Sequence, residues 1–527
     1  MKIQNPVRSA VVALWLFATF NPQTSTCLAQ GSLTPLGPPA PTMKTLEQIE
    51  PRTPISSLPY TITVPGSYYV TTNLTGVSGT NGITILTSNI VINLRGFTLA
   101  GAPGANDGIY VAGTVGNLLA NIVVKNGIIS GWPANGLDAD NSINSQFSDL
   151  NVVGNSVDGL NSGQQAIVRN CVAANNGLEG FGGVLNSFCV FNNCDAHDNG
   201  DAGFYTDSWC TFKDCHGNRN GNSGFNPYLN CTFQDCVADD NYWGVYGYDR
   251  DIFVHCQFGY NGGPGIVGGD NCVVRNSVAA NNGDDGITVG NNCTIDSCTA
   301  SANSSSGISV TNFCMLSGCV ASSNQLDNVV TAFGCTLSHC SSDGSATGNG
   351  FTLGSGNTIS DSTAFGNAVN GIDAGDRTMV RSCTATLNGN AGIHVNYQGT
   401  VQQCTSGNNG SYGILSDANG YASILENNCS FNGILAFGGT PTQGAGIYIT
   451  NSPGCRIEGN TLDLNYIALV VAANNHAFVL RNSANGNISA SYSLGSGNSW
   501  GPIVDVSAGG DISGVANSSH PDANFIH

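Results

Sequence analysis

The segment DGITVGNNCTIDSCTASANSS, residues 285–305, is followed directly by SGISVTNFCMLSGCVASSNQL, residues 306–326, and the two align without a gap. Counted from the leading glycine of each copy, apolar or small residues occupy positions +1 and +3, +7 and +9, and +12 and +14. Alternation with a period of two is typical of a β-strand, in which successive side chains point to opposite faces. Each copy therefore predicts three short strands.

The same pattern recurs in 18 copies, mostly 20 to 23 residues apart, and predicts a solenoid. The leading residues are Gly82, Gly108, Gly136, Gly159, Gly180, Gly203, Gly224, Gly244, Gly265, Gly286, Gly307, Asn328, Gly350, Gly371, Gly392, Gly413, Gly446 and, in a degenerate last copy, Ala468. With one copy per coil, the predicted fold is all-β: a right-handed parallel β-helix of about 18 rungs, closed by N- and C-terminal caps.

Turn residues separate the three stretches of each copy in which apolar and polar residues alternate. Position +11 is filled by residue types that tolerate a left-handed backbone, at Asn170, Asp214, Asp235, Asn276, Ser297, Asp361 and Ser382. We therefore expect a left-handed turn residue at this position in successive coils.

Composition limits the classes of partner. Charged residues make up 9% of the chain and the formal net charge is −19, which argues against a nucleic-acid partner. A polyanionic ligand would need assistance from cations, whereas a neutral ligand would not. Hydrophobic residues make up 41% of the chain, enough for a buried core. Beyond the N-terminal segment, no apolar run approaches the ~20 residues of a membrane span.

The N-terminal segment has the pattern of a secretory signal peptide. Lys2 and Arg8 precede an apolar run over residues 10–20, and Cys27-Leu28-Ala29 gives a small residue at each end of a cleavage motif. We therefore predict a signal peptide over residues 1–29, cleavage near Ala29, and secretion to the periplasm or the exterior. Lipid attachment at Cys27 is the less favoured alternative.

The remaining chain divides by pattern. The predicted parts are a Pro-rich linker with a short N-capping helix at 30–59, the β-helix at 60–481 and a C-terminal cap segment at 482–527. The helix is indicated by the capping-box pattern TLEQ at residues 45–48. An insertion near residues 434–443 lengthens one copy.

Most of the 20 cysteines fall in two inward columns, positions +7 and +12. The favoured interpretation is a ladder of small buried thiols inside the coils. Disulfides between neighbouring coils remain an alternative, because stacked Cα atoms ~4.8 Å apart lie within bridging range. A zinc site is disfavoured, since zinc needs four ligands at one point.

The repeat, which has the form G-[IFV]-x-V…N-[CT]-x-I…C-x-A…N-G, resembles the right-handed β-helix repeats of the pectin-lyase-like superfamily, particularly secreted bacterial members. The resemblance covers residues 60–481. It implies the fold but leaves the activity open, because this superfamily includes polysaccharide lyases, glycoside hydrolases, sugar epimerases, adhesins and phage spikes.

Two enzyme motifs of that superfamily are present only in part. NGDDG at residues 282–286 is similar to the aspartate pair of polygalacturonases, but the third acid and the histidine expected on adjacent rungs are missing. YGYDRD at residues 246–251 is similar to the motif of mannuronan epimerases, with arginine where proline and histidine are expected.

One rung differs from all others and marks the predicted site. Its sequence, WGVYGYDRDIFVHC at residues 243–256, combines aromatic and charged residues in a chain with few charges. Counted from Gly244, its outward residues continue a strip that neighbouring copies form on the first strand and the following turn. The strip comprises Tyr205, Asp207, Trp209, Asn226, Tyr228, Tyr246, Tyr248, Asp249, Arg250 and Asp270. Exposed aromatic rings beside hydrogen-bonding groups suit a pyranose, so the members from Tyr205 to Tyr248 are predicted to bind sugar.

Catalysis is a further hypothesis for this strip. Arg250, with Asp249 and Asp251, is the candidate catalytic group, with Arg250 acting as a base or a carboxylate clamp beside a uronate. Asp249 and Asp270, stacked on adjacent rungs, are the candidate ligands of a Ca²⁺ ion. A second, smaller strip pairs Asp373 with His394 as an acid/base candidate.

The sequence thus favours a secreted β-helix protein that binds an extracellular polysaccharide or cell-surface glycan, with lyase-like cleavage or epimerisation, assisted by Ca²⁺, as the catalytic option. The alternative is a non-catalytic surface, adhesive or structural solenoid. Whether the protein is an enzyme, and its oligomeric state, stay open at this point.

Overall fold

Three stacks of short parallel strands run along the chain. The computed structural model describes residues 52–183, 185–418, 420–434 and 444–527. The predicted signal peptide, the predicted capping helix and most of the predicted insertion lie outside these residues. Within them the one helix is a 3-10 turn, Ile512–Gly514, and no helix is long and apolar enough to cross a membrane.

The first strand of each coil contributes to one sheet of twenty parallel strands. In chain order these strands are Tyr60–Ile62, Ile83–Ile85, Ile109–Val111, Leu137–Asp138, Leu160–Asn161, Phe181–Gly182, Phe204–Tyr205, Ser223–Asn226, Trp243–Tyr246, Ile266–Gly268, Ile287–Val289, Ile308–Val310, Val329–Thr331, Phe351–Leu353, Ile372–Ala374, Ala391–Val395, Tyr412–Ser416, Ala445–Ile449, Ile467–Val471 and Ala490–Leu494.

The second strands stack in the same way. They are Thr53–Ile55, Gly66–Val70, Ile90–Asn93, Ile122–Ser130, Gln146–Val153, Ile167–Arg169, Val190–Asn192, Thr211–Lys213, Thr232–Gln234, Ile252–Val254, Val273–Arg275, Thr294–Asp296, Met315–Ser317, Thr336–Ser338, Thr358–Ser360, Met379–Arg381, Thr400–Gln402, Ser423–Leu425, Arg456–Glu458, Phe478–Leu480 and Ser499–Trp500. Ile122–Ser130 and Gln146–Val153 continue through the corner and also serve as third strands.

The other third strands complete the coils. They are Leu74–Thr75, Thr98–Ala100, Val172–Ala174, Asp195–His197, His216–Asn218, Val237–Asp239, Gln257–Gly259, Val278–Ala280, Thr299–Ser301, Val320–Ser322, Ser341–Asp343, Thr363–Phe365, Thr384–Thr386, Thr405–Gly407, Asn428–Ser430, Thr461–Asp463 and Ser483–Asn485, followed by Ile503–Asp505 and Asn524–Ile526. A small extra pair, Leu119–Ala120 with Ser142–Ile143, forms a separate sheet.

The register follows the sequence repeat. Ile287 pairs with Ile308, and Thr294 with Met315, so that equivalent positions of successive copies lie on top of each other. The predicted all-β parallel solenoid is confirmed. It has a few more coils than the 18 counted, because strands at Tyr60–Ile62 and Ala490–Leu494 extend the first-strand sheet beyond the recognisable repeats.

The turn prediction is confirmed as well. All seven residues named at position +11 have left-handed backbones, with φ between 48° and 54°. These residues form the corner between the second and third strands. Asparagine, aspartate and serine suit that corner because their short polar side chains bond locally.

Buried ladders hold the coils together. Asn282 illustrates one of them: its Oδ1 accepts from the backbone N–H and the side-chain amide of Asn261, while its Nδ2 donates to Asn303 at 3.0 Å. The same contacts run from Asn155 to Asn324. Each amide is buried and hydrogen-bonded, so the ladder holds neighbouring coils together without leaving polar groups unpaired.

The cysteine ladder is confirmed. All nineteen described cysteines are free and buried. Several accept a hydrogen bond from the backbone of the preceding coil, such as the Cys210 N–H to Cys231 Sγ contact at 3.3 Å. Phenylalanines extend this core, with Phe204 stacked between Phe181 and Phe225 at ring separations of 4.9 and 4.8 Å.

Candidate functional site

The outward side of the first-strand sheet carries the predicted strip. Tyr205 pairs with Asn226 on the next coil, and Phe225 pairs with Val245 on the one after, which puts Tyr246 level with Asn226. Their inward neighbours are apolar and fully buried, so alternation directs these three side chains outward.

A shallow cleft of about 420 Å³ lies over this part of the sheet. Its lining residues are Gly183, Tyr205, Thr206, Asp207, Asn226, Pro227, Tyr228 and Tyr248. The structure thus gathers Tyr205, Asp207, Asn226, Tyr228 and Tyr248 of the predicted strip into one concave surface. Gly183, Thr206 and Pro227 were not singled out from the sequence, because they carry no aromatic or charged group.

Three tyrosines line the cleft. Tyr228 and Tyr248 lie 5.1 Å apart with their planes tilted by 57°, and Tyr246 meets Tyr248 edge to face at 5.7 Å. Tyr205, Tyr228 and Tyr248 remain 42%, 49% and 40% exposed. Burial, with smaller contributions from Tyr246 and Tyr228, raises the pKa of Tyr248, so its phenol stays a hydrogen-bond donor at neutral pH. The rings offer apolar faces together with polar edges.

Asp207, which also lines the cleft, is held by two hydrogen bonds. Its Oδ2 accepts from the Ser187 hydroxyl at 2.7 Å, and its Oδ1 accepts from the Ser208 N–H at 2.8 Å. Trp209, predicted as a binding residue, lies at the next turn and stacks on Phe188 at 6.2 Å, outside the lining of the cleft.

Asp249 and Asp270 belong to a structural column of turn residues. Asp249 Oδ1 accepts from the Asp270 N–H at 2.8 Å, and Asp270 Oδ1 accepts from the Asn291 N–H at 2.7 Å. Asn291 continues the pattern by accepting from the Asn312 side chain at 2.8 Å. One oxygen of each aspartate is therefore committed to the next coil. No cluster of three or more His, Cys, Asp or Glu suited to a metal ion occurs in the part of the chain that the structure describes.

Arg250 and Asp251 point in opposite directions. Arg250 has a left-handed backbone, with φ of 64°, and its side chain is exposed. Asp251 is fully buried inside the coil, where it accepts from the Cys231 N–H at 2.8 Å and the Tyr248 N–H at 3.1 Å. Burial raises the pKa of Asp251 to about 7. Asp251 takes the inward position that cysteines occupy in neighbouring coils, as its place at +7 in the repeat predicts, and is thus separated from the outward strip that carries Asp249 and Arg250.

A group of acids upstream of the cleft was missed from the sequence. Asp138 and Asn161 precede Gly182 and Tyr205 in the same outward column. Asp158 and Glu179 stand immediately before the leading glycines of their coils. These residues could have been found from the sequence, because their positions in the repeat are in line with those of the aromatic strip.

The second strip contains a histidine held between two carboxylates. His394 Nδ1 lies 2.8 Å from Asp373 Oδ1, and His394 Nε2 lies 2.8 Å from Asp417 Oδ1. Burial lowers the pKa of His394, but Asp373 and Asp417 outweigh it and leave a net increase. Asp417 was not predicted as part of this strip. With both ring nitrogens engaged, the imidazole is better suited to bridging coils as a cation than to accepting a proton.

Two family models match the chain. One describes a right-handed β-helix region and matches residues 204–339. The other describes the periplasmic copper-binding protein NosD and matches residues 316–514. The first match agrees with the resemblance drawn from the repeat. A search of curated proteins gave no significant match.

Several solved β-helix structures are similar at low identity. The A-module of the mannuronan C-5 epimerase AlgE4 from Azotobacter vinelandii is 12% identical over 69% of this chain and 86% of its own, with a TM-score of 0.26. The tailspike of Escherichia coli bacteriophage HK620 is 12% identical over 70% of each chain, with a TM-score of 0.29. ORF18 of Geobacillus virus E2 is 16% identical over 57% of this chain and 52% of its own, with a TM-score of 0.25.

Proposed function

Taking the chain as a right-handed parallel β-helix repeat protein, we propose that it binds an extracellular polysaccharide in the cleft between Tyr205 and Tyr248. The observation that carries this proposal is the cleft itself, which is lined by three half-exposed tyrosines together with Asp207 and Asn226. A sugar ring has one apolar face and a rim of hydroxyl groups. Aromatic rings beside fixed hydrogen-bonding groups complement both.

The cleft is preorganised for such a ligand. Ser187 and Ser208 hold the Asp207 carboxylate, and neighbouring rings hold Tyr248. Binding therefore orders few side chains, which preserves the affinity gained from contact. The coils place equivalent positions ~4.8 Å apart, so Tyr228 and Tyr248, at the same position of successive coils, can contact one extended chain of sugars.

Binding is tested with a panel of soluble polysaccharides: laminarin, dextran, xylan, alginate and polygalacturonate. Affinity is measured by calorimetry for the wild type and for Tyr228→Ala and Tyr248→Ala. We expect each substitution to weaken binding about tenfold to thirtyfold, corresponding to about 1.4 to 2 kcal/mol for an anchoring aromatic. Tyr260→Ala is the matched control, because Tyr260 is 65% exposed but lies at the end of a third strand. Equal losses in all three variants would contradict the proposal.

A Ca²⁺-assisted reaction on uronates, with Arg250 as the base or carboxylate clamp and Asp249 and Asp270 as metal ligands, is tested on the same panel. Its support is the exposed Arg250 side chain next to the two stacked aspartates. Product formation from alginate or polygalacturonate is followed by the ultraviolet absorbance of an unsaturated uronate, with and without Ca²⁺. Absorbance that needs Ca²⁺ and is lost in Arg250→Ala supports lyase chemistry. Binding without products supports the adhesive alternative.

We place this function outside the cytoplasm. The support is the secretory pattern of residues 1–29 together with the periplasmic description of the NosD model. Fractionation of cells producing the full chain tests it, and retention in the cytoplasm would contradict it.

A further inference from the structure

We propose that the cleft between Tyr205 and Tyr248 selects a glycan with free amino groups, a polymer of amino sugars such as glucosamine, and binds one of its ammonium groups at Asp207. This inference rests on the proposed glycan binding and names the class of glycan. It differs from the uronate hypothesis, because the group that is recognised is a cation and the residue that recognises it is an acid.

The cleft carries one charged group, and that group is negative. Its eight described lining residues include Asp207 but no lysine, arginine or histidine, and Arg250 is not among them. In the part of the chain that the structure describes, no basic side chain forms an ion pair with Asp207. A carboxylate without a counter-ion in a concave site attracts cations and repels anions.

The charge around the cleft has the same sign. Residues 181–270, which include every lining residue, contain eleven aspartates but three basic residues, Lys213, Arg219 and Arg250. Of these three, Arg219 is already bound to Asp198 at 2.9 Å. A uronate polymer would therefore approach the cleft against a negative field, whereas a polymer that carries ammonium groups would be drawn towards it.

Asp207 can accept one more hydrogen bond. A carboxylate offers about four acceptor sites. At Oδ1, two are used by Ser208, whose N–H donates at 2.8 Å and whose hydroxyl donates at 3.1 Å. At Oδ2, one is used by the Ser187 hydroxyl at 2.7 Å, so among the described residues one site is left for a ligand. An ammonium N–H at this site forms a charge-assisted hydrogen bond, about twice as strong as one between neutral groups.

The tyrosine rings suit the same cation. Tyr205, Tyr228 and Tyr248 line the cleft together with Asp207, and their rings are partly exposed. The face of a tyrosine ring attracts an ammonium group that lies within ~6 Å of its centre. The rings also pack against the apolar face of a sugar. An amino sugar therefore uses both the rings and the carboxylate charge, whereas a neutral sugar gains nothing from that charge.

The test compares three hexasaccharides that share one backbone and differ in one substituent. They are the β-linked hexamers of glucosamine, N-acetylglucosamine and glucose, with an amine, an acetamide and a hydroxyl at the same carbon. Calorimetry is performed on the full chain at pH 5.5, below the pKa of about 7.7 to 8.0 of ordinary α-amines. We expect the glucosamine hexamer to bind at least tenfold more tightly than either neutral hexamer. The preference should shrink as NaCl rises from about 50 to about 500 mM, because salt screens the charges.

Two aspartate variants locate the preference. Asp207→Asn removes the charge but keeps the size of the side chain, so the preference for the amine should fall below threefold. Its affinity for the glucose hexamer should stay within threefold of wild type, which also shows that the fold is intact. Asp214→Asn is the matched control, because Asp214 lies on the same coil at the exposed corner between the second and third strands. Its backbone φ of 51° suits asparagine equally well, and this variant should keep the full preference.

The contrary results separate this inference from the proposed function. No binding of any hexamer or of any polysaccharide in the panel would refute the proposed function. Equal affinity for the three hexamers, or tighter binding of alginate than of the glucosamine hexamer, would overturn the amine selectivity alone. A preference that Asp214→Asn loses as fully as Asp207→Asn would assign it to the overall acidity of the chain and overturn the role of Asp207.

Competition gives a check on wild type that needs no variant. Methylammonium chloride supplies the cation without the sugar, and NaCl at the same ionic strength supplies the screening alone. Methylammonium should weaken binding of the glucosamine hexamer more than NaCl does, and it should weaken binding of the glucose hexamer no more than NaCl does. Equal effects of the two salts on the glucosamine hexamer would overturn the ammonium site.

Discussion

Replacing Asp251 with cysteine should remove a pH-dependent loss in the free energy of unfolding, which arises in the middle of the solenoid. Asp251 stands inside the coil, in the column that cysteines fill at Cys231 and Cys272. It is fully buried, and its two carboxyl oxygens accept hydrogen bonds from the Cys231 and Tyr248 backbones. Burial is nevertheless the larger influence and raises its pKa from 3.8 to about 7.

The sign and size of this pH dependence follow from the difference in proton binding between the folded and unfolded states. Below pH 4 the carboxyl is protonated in both the folded and unfolded states and contributes no pH dependence. Between pH 4 and 7 only the folded state holds the proton, so the free energy of unfolding falls as the pH rises, and it levels off above 7. At about 1.4 kcal/mol per pKa unit, the shift from 3.8 to about 7 corresponds to a loss of roughly 4 kcal/mol.

Urea unfolding at pH 4 and pH 8, followed by the fluorescence of the tryptophans, which include Trp243 in the same coil, measures this loss of stability. We expect Asp251→Cys to gain roughly 4 kcal/mol more over wild type at pH 8 than at pH 4. Ser277→Cys is the matched control, because Ser277 interrupts the other cysteine column and accepts from the Cys256 N–H at 3.1 Å. Its difference from wild type should not vary with pH. An Asp251→Cys difference that is the same at both pH values would refute the reasoning.

Three further predictions concern the ladders and the second strip. Asn282→Ala should lower the free energy of unfolding by about 3 kcal/mol in urea titrations, because it leaves its buried ladder partners unsatisfied; a loss below 1 kcal/mol would contradict this. The nineteen described cysteines should react with a thiol reagent only on unfolding, and a substoichiometric count in denaturant would instead indicate disulfides. His394 has a raised pKa, so its contacts with Asp373 and Asp417 should stabilise the fold below pH 6.5 and lose that effect as the pH rises through the raised value. NMR titration of His394 should show this increase, and Asp373→Asn should reduce it.

The fold was predictable because each copy constrains the next. An apolar alternation that repeats at nearly constant spacing can bury its residues only by stacking, and stacking brings equivalent positions into register. The sequence therefore predicted the left-handed residues at position +11 and the buried columns of cysteine. The outward strand positions that became Tyr205, Asn226 and Tyr246 followed from the same frame.

The site was only partly predictable. Tyr228 and Tyr248 were found because aromatic residues are conspicuous in a chain with few charges. Glu179 and Asp158 look ordinary in sequence, since other coils also carry an acid before the leading glycine. Burial and the neighbouring Asp158 nevertheless raise the pKa of Glu179, an effect of contacts between coils that neither spacing nor residue type reveals.

A solenoid forms a site by departing from its own repeat on adjacent coils. The outward first-strand column holds Thr288 and Ser309 in the regular middle of the rod, but Asp138, Asn161 and Gly182 upstream of Tyr205. Register makes these departures neighbours in space although they are more than twenty residues apart in sequence. The acids and the tyrosines therefore needed no loop to bring them together. It follows that the same substitution should matter in this block of coils and be tolerated further along.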